Sequence, residues 1–177
     1  MTLETNTDTA TDTAEGTEIH MRILRIATCP SLSGRSELTY HVGCNREINA
    51  ISFRLWANSS SGMFSDTWFS LKDVSELLGA TEGVSSAVLK PLWESTSRNN
   101  PGFCLGILQG EGLVEKSLVT PGTYTTANPA PFLQRINALI ASGVDLSEDD
   151  APEEPSDALP IATTEGPKRG RPKKQSA

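Results

Sequence analysis

The residues with the clearest chemical consequence are Pro167-Lys168-Arg169-Gly170-Arg171-Pro172-Lys173-Lys174. Two arginines flank a glycine, a proline follows, and lysines stand on both sides. A narrow A·T minor groove concentrates negative potential and attracts arginine. A·T pairs also lack the guanine amino group that obstructs the groove floor. Gly170 has no Cβ, so the backbone between the arginines can approach the base edges closely. Pro172 fixes its own φ and biases Arg171 towards extended geometry, as a ribbon in a groove requires. Lys168, Lys173 and Lys174 can neutralise flanking phosphates, a contribution that falls with salt.

This octapeptide resembles an AT-hook, the motif of high-mobility-group chromatin proteins that is also appended to other DNA-binding proteins. The resemblance implies that the Arg169-Gly170-Arg171-Pro172 centre lies extended in the minor groove of A·T-rich duplex DNA. A basic run of this size also suits a solubilising tail or a nuclear-import signal, but neither needs the glycine or the proline. A lone hook makes few phosphate contacts and must be ordered on binding. It is therefore expected to assist a second binding unit, either the preceding domain or a homodimer that presents two tails together. The acidic run Asp145–Asp157 is expected to compete with DNA for the hook's arginines.

Other constellations are weaker. His41 and Cys44 invite a metal or catalytic reading, but in a strand positions 41 and 44 face opposite sides. The expectation is a solvent-side His41 and a buried Cys44. Cys29, Cys44 and Cys104 are odd in number and lack C-x-x-C spacing, so neither a zinc site nor a disulfide framework is expected. Cys104 reads as core. No nucleophile elbow, P-loop or H-E-x-x-H is present. The acids of residues 19–143, Glu111 among them, are scattered singly. A nuclease is the enzymatic alternative, since metal carboxylates need not be close in sequence. The expectation is no enzyme and no cofactor. Trp56, Trp68 and Trp93 read as packing residues, with Arg54 and Trp56 on one strand face as the sole hint of a base-stacking platform.

The elements that must position these residues follow from periodicity. Ile19, Met21 and Ile23, then Leu38, Tyr40 and Val42, then Ile51, Phe53 and Leu55 alternate with polar residues, as half-buried antiparallel strands do. A further short strand is expected within Met63–Phe69. Ser70–Leu78 reads as a helix capped by Ser70 and stopped by Gly79. Pro91 restricts Lys90, which favours a short strand at Ser86–Lys90. Asn100 and Pro101 can open a helix to about Gln109, although Phe103–Leu108 also suits a buried strand. Thr120-Pro121-Gly122 joins Leu113–Leu118 to Thr123–Thr126 as a hairpin. Asn128, Pro129 and the stripe Phe132, Ile136, Leu139 and Ile140 specify a last helix that ends at Gly143.

A helix, an uncertain element, a second helix and a hairpin give residues 70–142 a loose similarity to winged helix-turn-helix domains. That similarity implies a recognition helix near Pro101 with Arg98, Asn99 and Asn100 at its start. Lys116, Thr120, Thr123 and Thr125 would decorate the wing, with DNA as the ligand of both.

Charge divides the chain into three. It carries 15 Lys+Arg and 22 Asp+Glu over 177 residues. Residues 1–18 hold five acids, seven threonines and no base, and residues 144–177 hold eight acids and five bases. Between them, 19–143 hold nine acids and ten bases, a near-neutral stretch of one domain's size. The expected organisation is an α+β domain at 19–143 between tails disordered on composition, the second an acidic linker that ends in the hook. No apolar run of membrane-spanning length and no leader-like N-terminus is seen, so no membrane partner is expected. The expected function is a regulatory or architectural DNA-binding protein, nucleoid-associated in a bacterial or phage setting and nuclear in a eukaryote. The alternative is a protein-interaction module that its tail tethers near DNA.

Overall fold

Alternating apolar residues that can each find a partner strand build the first half of the molecule. The computed structural model describes residues 21–81, 83–93 and 97–153. Strands β1 (Met21–Pro30), β2 (Glu37–Asn45), β3 (Ile51–Asn58) and the two-residue β4 (Phe69–Ser70) form an antiparallel sheet in the order β1-β2-β3-β4. Register places Tyr40 opposite Ala27 and Leu55, and His41 opposite Ile26 and Arg54. Side chains alternate across a pleated strand. Leu38, Tyr40, Val42, Phe53 and Leu55 therefore join the main core, while His41, Gly43 and Arg54 face the other way. The short strand expected within Met63–Phe69 reduces to β4, because the preceding residues make no ladder.

Three helices and a hairpin cover the inner face, which completes an α+β fold. Helix α1 (Leu71–Gly79) is capped by Ser70, whose Oγ accepts from the Asp73 amide at 3.0 Å, and it buries Val74 and Leu78. Gly79 is its last residue and not a left-handed stop; the chain leaves through Ala80 in right-handed geometry. Ser86–Trp93 is a 3₁₀ helix with Pro91 inside, not a strand. The short i→i+3 pattern tolerates a residue without an N–H, and Leu89 and Trp93 anchor it in the core.

Helix α2 (Asn100–Gly110) settles Phe103–Leu108 as helix, with Asn99 as N-cap, one residue before the expected Asn100. It packs on β1, β2 and the 3₁₀ helix. Gly110 allows its close approach, since a Cβ there would lie 2.9 Å from Cys29 Cβ. Strands β5 (Val114–Lys116) and β6 (Tyr124–Thr126) form the expected hairpin, and Val84 bridges Tyr124. Helix α3 (Ala130–Ser142) ends at Gly143, whose φ of 78° is the left-handed geometry that favours glycine. Its N-cap is Pro129, while the Asn128 side chain accepts from the Ala130 amide at 3.0 Å. Phe53, Phe69, Phe132 and Trp93 join sheet, α3 and 3₁₀ helix through rings 5.0 to 5.7 Å apart.

The largest difference from expectation lies after Gly143. Composition reads 144–177 as a disordered linker, yet residues 144–153 lie against β1. The Leu146 amide donates to Ile23 O at 2.9 Å and the Glu153 amide donates to Ile26 O at 2.8 Å. Ile23 and Ile26 are buried, although they lie outside the core beneath the helices. Apolar residues on the sheet's outer face give this acidic segment something to cover, and arginines beside them give its carboxylates partners. Among the described residues no helix is long and apolar enough to cross a membrane.

Candidate nucleic-acid interface

The hook residues Lys168, Arg169, Gly170, Arg171, Pro172, Lys173 and Lys174 lie outside the described residues. Of the remaining candidates, Arg98, Asn99 and Lys116 gather around the β1–β2 turn, Ser31–Ser36. That turn is closed by Ser31 N–H donating to Ser36 O at 2.8 Å and Gly34 N–H donating to Ser31 O at 2.8 Å. Three adjoining shallow depressions of about 360, 510 and 260 Å³ surround it. Lys116 lines the first, Arg35 the second, and Arg98 with Asn99 the third. All four side chains are exposed. The strand β5 carries Lys116 here, and the loop before α2 carries Arg98.

Two predicted contacts are otherwise engaged. Asn100 is 3% exposed; its Nδ2 donates to Ser65 O at 2.8 Å and its Oδ1 accepts from the Ser65 amide at 2.9 Å. A buried amide with both ends satisfied fixes a loop and is not available to a base or phosphate. Thr123 is half-buried and its hydroxyl donates to Thr120 O at 2.8 Å, within the hairpin turn. Nor does α2 present a reading face. Pro101, Cys104, Leu105, Gly106, Ile107 and Leu108 are buried, and the helix has no basic residue. A recognition helix needs an exposed polar face to enter a major groove, so α2 is a core helix despite its place before the hairpin.

On the outer face of the sheet a second cluster encloses its cation. The Arg54 guanidinium lies 4.7 Å from the ring centroids of both Trp56 and Trp68. Its Nε donates to His41 Nδ1 at 3.1 Å and its Nη2 pairs with Glu148 Oε1 at 2.5 Å. Trp68 packs against Gly43, where a Cβ would come within 2.7 Å of the ring. His41 is therefore wholly buried rather than solvent-side, stacked on Trp56 at 5.0 Å. Burial and the neighbouring Arg54 charge outweigh the acids Glu148 and Asp149 and lower its pKa to about 4. It stands neutral at pH 7, with Nδ1 as acceptor. The rings are occupied by Arg54 and His41, which closes the base-stacking reading of Arg54 and Trp56.

Glu111, one of the singly scattered acids in the sequence, is the hub of a third cluster. Its side chain is fully buried and pairs with Arg25 Nη1, with Arg135 Nη2 at 2.6 Å, and with the Tyr40 hydroxyl at 2.6 Å. Burial and this carboxylate push the Tyr40 phenol up. Burial, with the charges of Glu111 and Glu37, pushes the Cys29 thiol up to about 12. Burial likewise raises Cys44 and Cys104. These are inert core thiols, since the reactive form is the thiolate. The only sequence signal for Glu111 is its place between Gly110 and the apolar pair Leu113-Val114, where a helix turns back into the core.

The acidic segment adds Asp145 to Arg46 and Glu153 to Arg25, the latter at 2.7 Å. Three acids expected to compete for the hook are thus paired with arginines of the sheet and of its β2–β3 turn. Among the described residues, no group of three His, Cys, Asp or Glu side chains is placed to hold a metal ion. Compared with known families, curated proteins and solved structures, the chain matches no family model, no curated protein and no solved structure.

Proposed function

We propose that this protein binds double-stranded, A·T-rich DNA in the minor groove through Lys168–Lys174, in a regulatory or architectural role without catalysis. The observation that carries the reading is the run Lys168-Arg169-Gly170-Arg171-Pro172-Lys173-Lys174, in which a glycine and a proline sit where groove insertion needs them. The folded body supports it indirectly. Helix α2 is core, and Arg25, Arg46 and Arg54 are held by Glu153, Asp145 and Glu148. Reading of sequence therefore falls to the tail.

A second reading, an interaction module tethered near DNA, is favoured by one observation. Leu118 and Val119 stand fully out from the hairpin tip at 101% and 90% exposure, where a partner protein or a second copy of the chain would cover them. Mobility shift of the full chain on A·T-rich and G·C-rich duplexes, beside Arg169→Ala/Arg171→Ala, tests the first reading. Preferential retardation of the A·T duplex that vanishes in the double variant is expected. No shift at low salt with either duplex would leave the second reading alone.

A further inference from the structure

We infer that the β1–β2 turn end of the folded body is a phosphodiester-binding surface, which holds the backbone of the duplex whose groove the hook enters. The inference rests on the proposed DNA binding and adds a second contact to it. Arg35, Arg98 and Lys116 come from three separate parts of the chain: the turn itself, the loop before α2, and β5. None makes an ion pair among the described residues, where the six ion pairs join Glu76, Glu111, Asp145, Glu148 and Glu153 to other cations. A single carboxylate, Glu37, is found in their walls, in the second depression beside Arg35.

Between the cations lie short donors. The exposed Ser33 lines the first depression, Ser36 and Ser59 the second, and Asn99, which gives one amide hydrogen to Met63 O at 2.8 Å and keeps the other, the third. Small hydroxyl and amide groups around flexible cations suit phosphate oxygens, which accept hydrogen bonds and carry charge, and they do not discriminate bases. The depressions are open and shallow, a shape that fits a backbone ridge better than an enclosed small molecule.

The described chain ends towards this turn. The acidic segment meets β1 first at Ile23, through Leu146, and then at Ile26, through Glu153. Its far end is thus three residues nearer the turn. From Ile26 to the end of β1 at Pro30 is roughly 13 Å at the strand rise. Thirteen residues, 154–166, separate Glu153 from Pro167, with a maximal reach of roughly 45 Å. Hook and turn can therefore engage one duplex together, and the first contact raises the local concentration of the second.

The test uses the full chain, carrying Arg35→Ala/Arg98→Ala/Lys116→Ala, with fluorescence anisotropy on A·T-rich and G·C-rich duplexes between about 50 and 200 mM salt. The three side chains are exposed, and an unchanged circular dichroism spectrum checks the fold. The expected result is a loss of about tenfold or more at low salt and a slope of log K against log salt shallower by about three, one per phosphate contact. The A·T over G·C ratio should not move, because phosphate contacts position without reading sequence. In the Arg169→Ala/Arg171→Ala background, the same triple change should weaken the remaining unselective binding by a further factor of about ten, leaving only the contribution of the tail lysines. A triple variant with wild-type affinity and slope, on a full chain that does prefer A·T, overturns this surface and leaves the hook intact. A full chain that binds neither duplex overturns both.

Discussion

Arg54 on the outer face of the sheet, Arg25 on the inner side of its edge strand β1 and Arg46 in the β2–β3 turn each meet a carboxylate of the segment 145–153, while at the β1–β2 turn Arg35, Arg98 and Lys116 meet none among the described residues. The two regions hold the same number of cations but present opposite surfaces. Trp56, Trp68 and His41 pack around Arg54, so that its positive charge works as an internal packing element. Serines and an open floor surround the cations at the turn, so that their charge faces solvent. A count of basic residues therefore says little about polyanion binding until each cation's partner is known.

The strongest way to break the paired side is to remove its buried anchor. Glu111→Ala leaves Arg25, Arg135 and Tyr40 without their common acceptor and is expected to cost about 3–5 kcal/mol in urea unfolding. Equal stability of variant and wild type would mean that solvent satisfies all three. Acid should act next. The His41 pKa is lowered in the fold, so the unfolded chain takes up its proton first as pH falls. Stability from this group is full above about pH 6.5 and is lost down to about pH 4, on the order of 3 kcal/mol in all. Unfolding at pH 7 and pH 5, in wild type and His41→Gln, isolates that contribution; parallel curves would refute it.

Gly43→Ala pushes a methyl into Trp68 and displaces the ring that covers Arg54, with an expected cost of about 1–3 kcal/mol and a shift in tryptophan emission. Glu148→Gln should cost less than about 1 kcal/mol, since its carboxylate is 55% exposed and Arg54 keeps both rings. A loss as large as that of Glu111→Ala would erase the distinction between buried and rim pairs. Leu118→Ser/Val119→Ser should leave the stability of the body within about 0.5 kcal/mol. Any change in oligomer size by light scattering would then report a partner surface at the hairpin tip.

Regular elements with one buried face were legible. Strands β2 and β3, the hairpin, α1 with its Ser70 cap and α3 with Gly143 all follow from period and punctuation. The departures have local causes. Pro91 argues against an α-helix but not against a 3₁₀ turn whose apolar residues reach the core. The sequence 145–153 has the composition of a linker, and its order comes from arginines distant in sequence, which no local window contains. The same holds for Glu111, whose partners lie 86, 71 and 24 residues away. Of the candidate contacts, Arg98, Asn99 and Lys116 are brought together at one turn. Asn100 and Thr123 are drawn into loop geometry, because short polar side chains near turns bond first to their own backbone. Nothing in Ser33-Gly34-Arg35-Ser36 distinguishes Arg35 from a residue of an ordinary surface turn.

The docking of Leu146 and Glu153 on β1 has a consequence for association. With the order β1-β2-β3-β4, β1 is an edge strand ten residues long and rich in isoleucine, leucine and alanine. Such an edge is a template for pairing with another chain unless something blunts it. The acidic segment occupies two of its carbonyls and places like charges along it, which repel a second copy approaching sideways. A chain cut after Gly143, at the boundary that composition suggests, would expose that edge and tend to aggregate, whereas one cut after Glu153 would keep its guard.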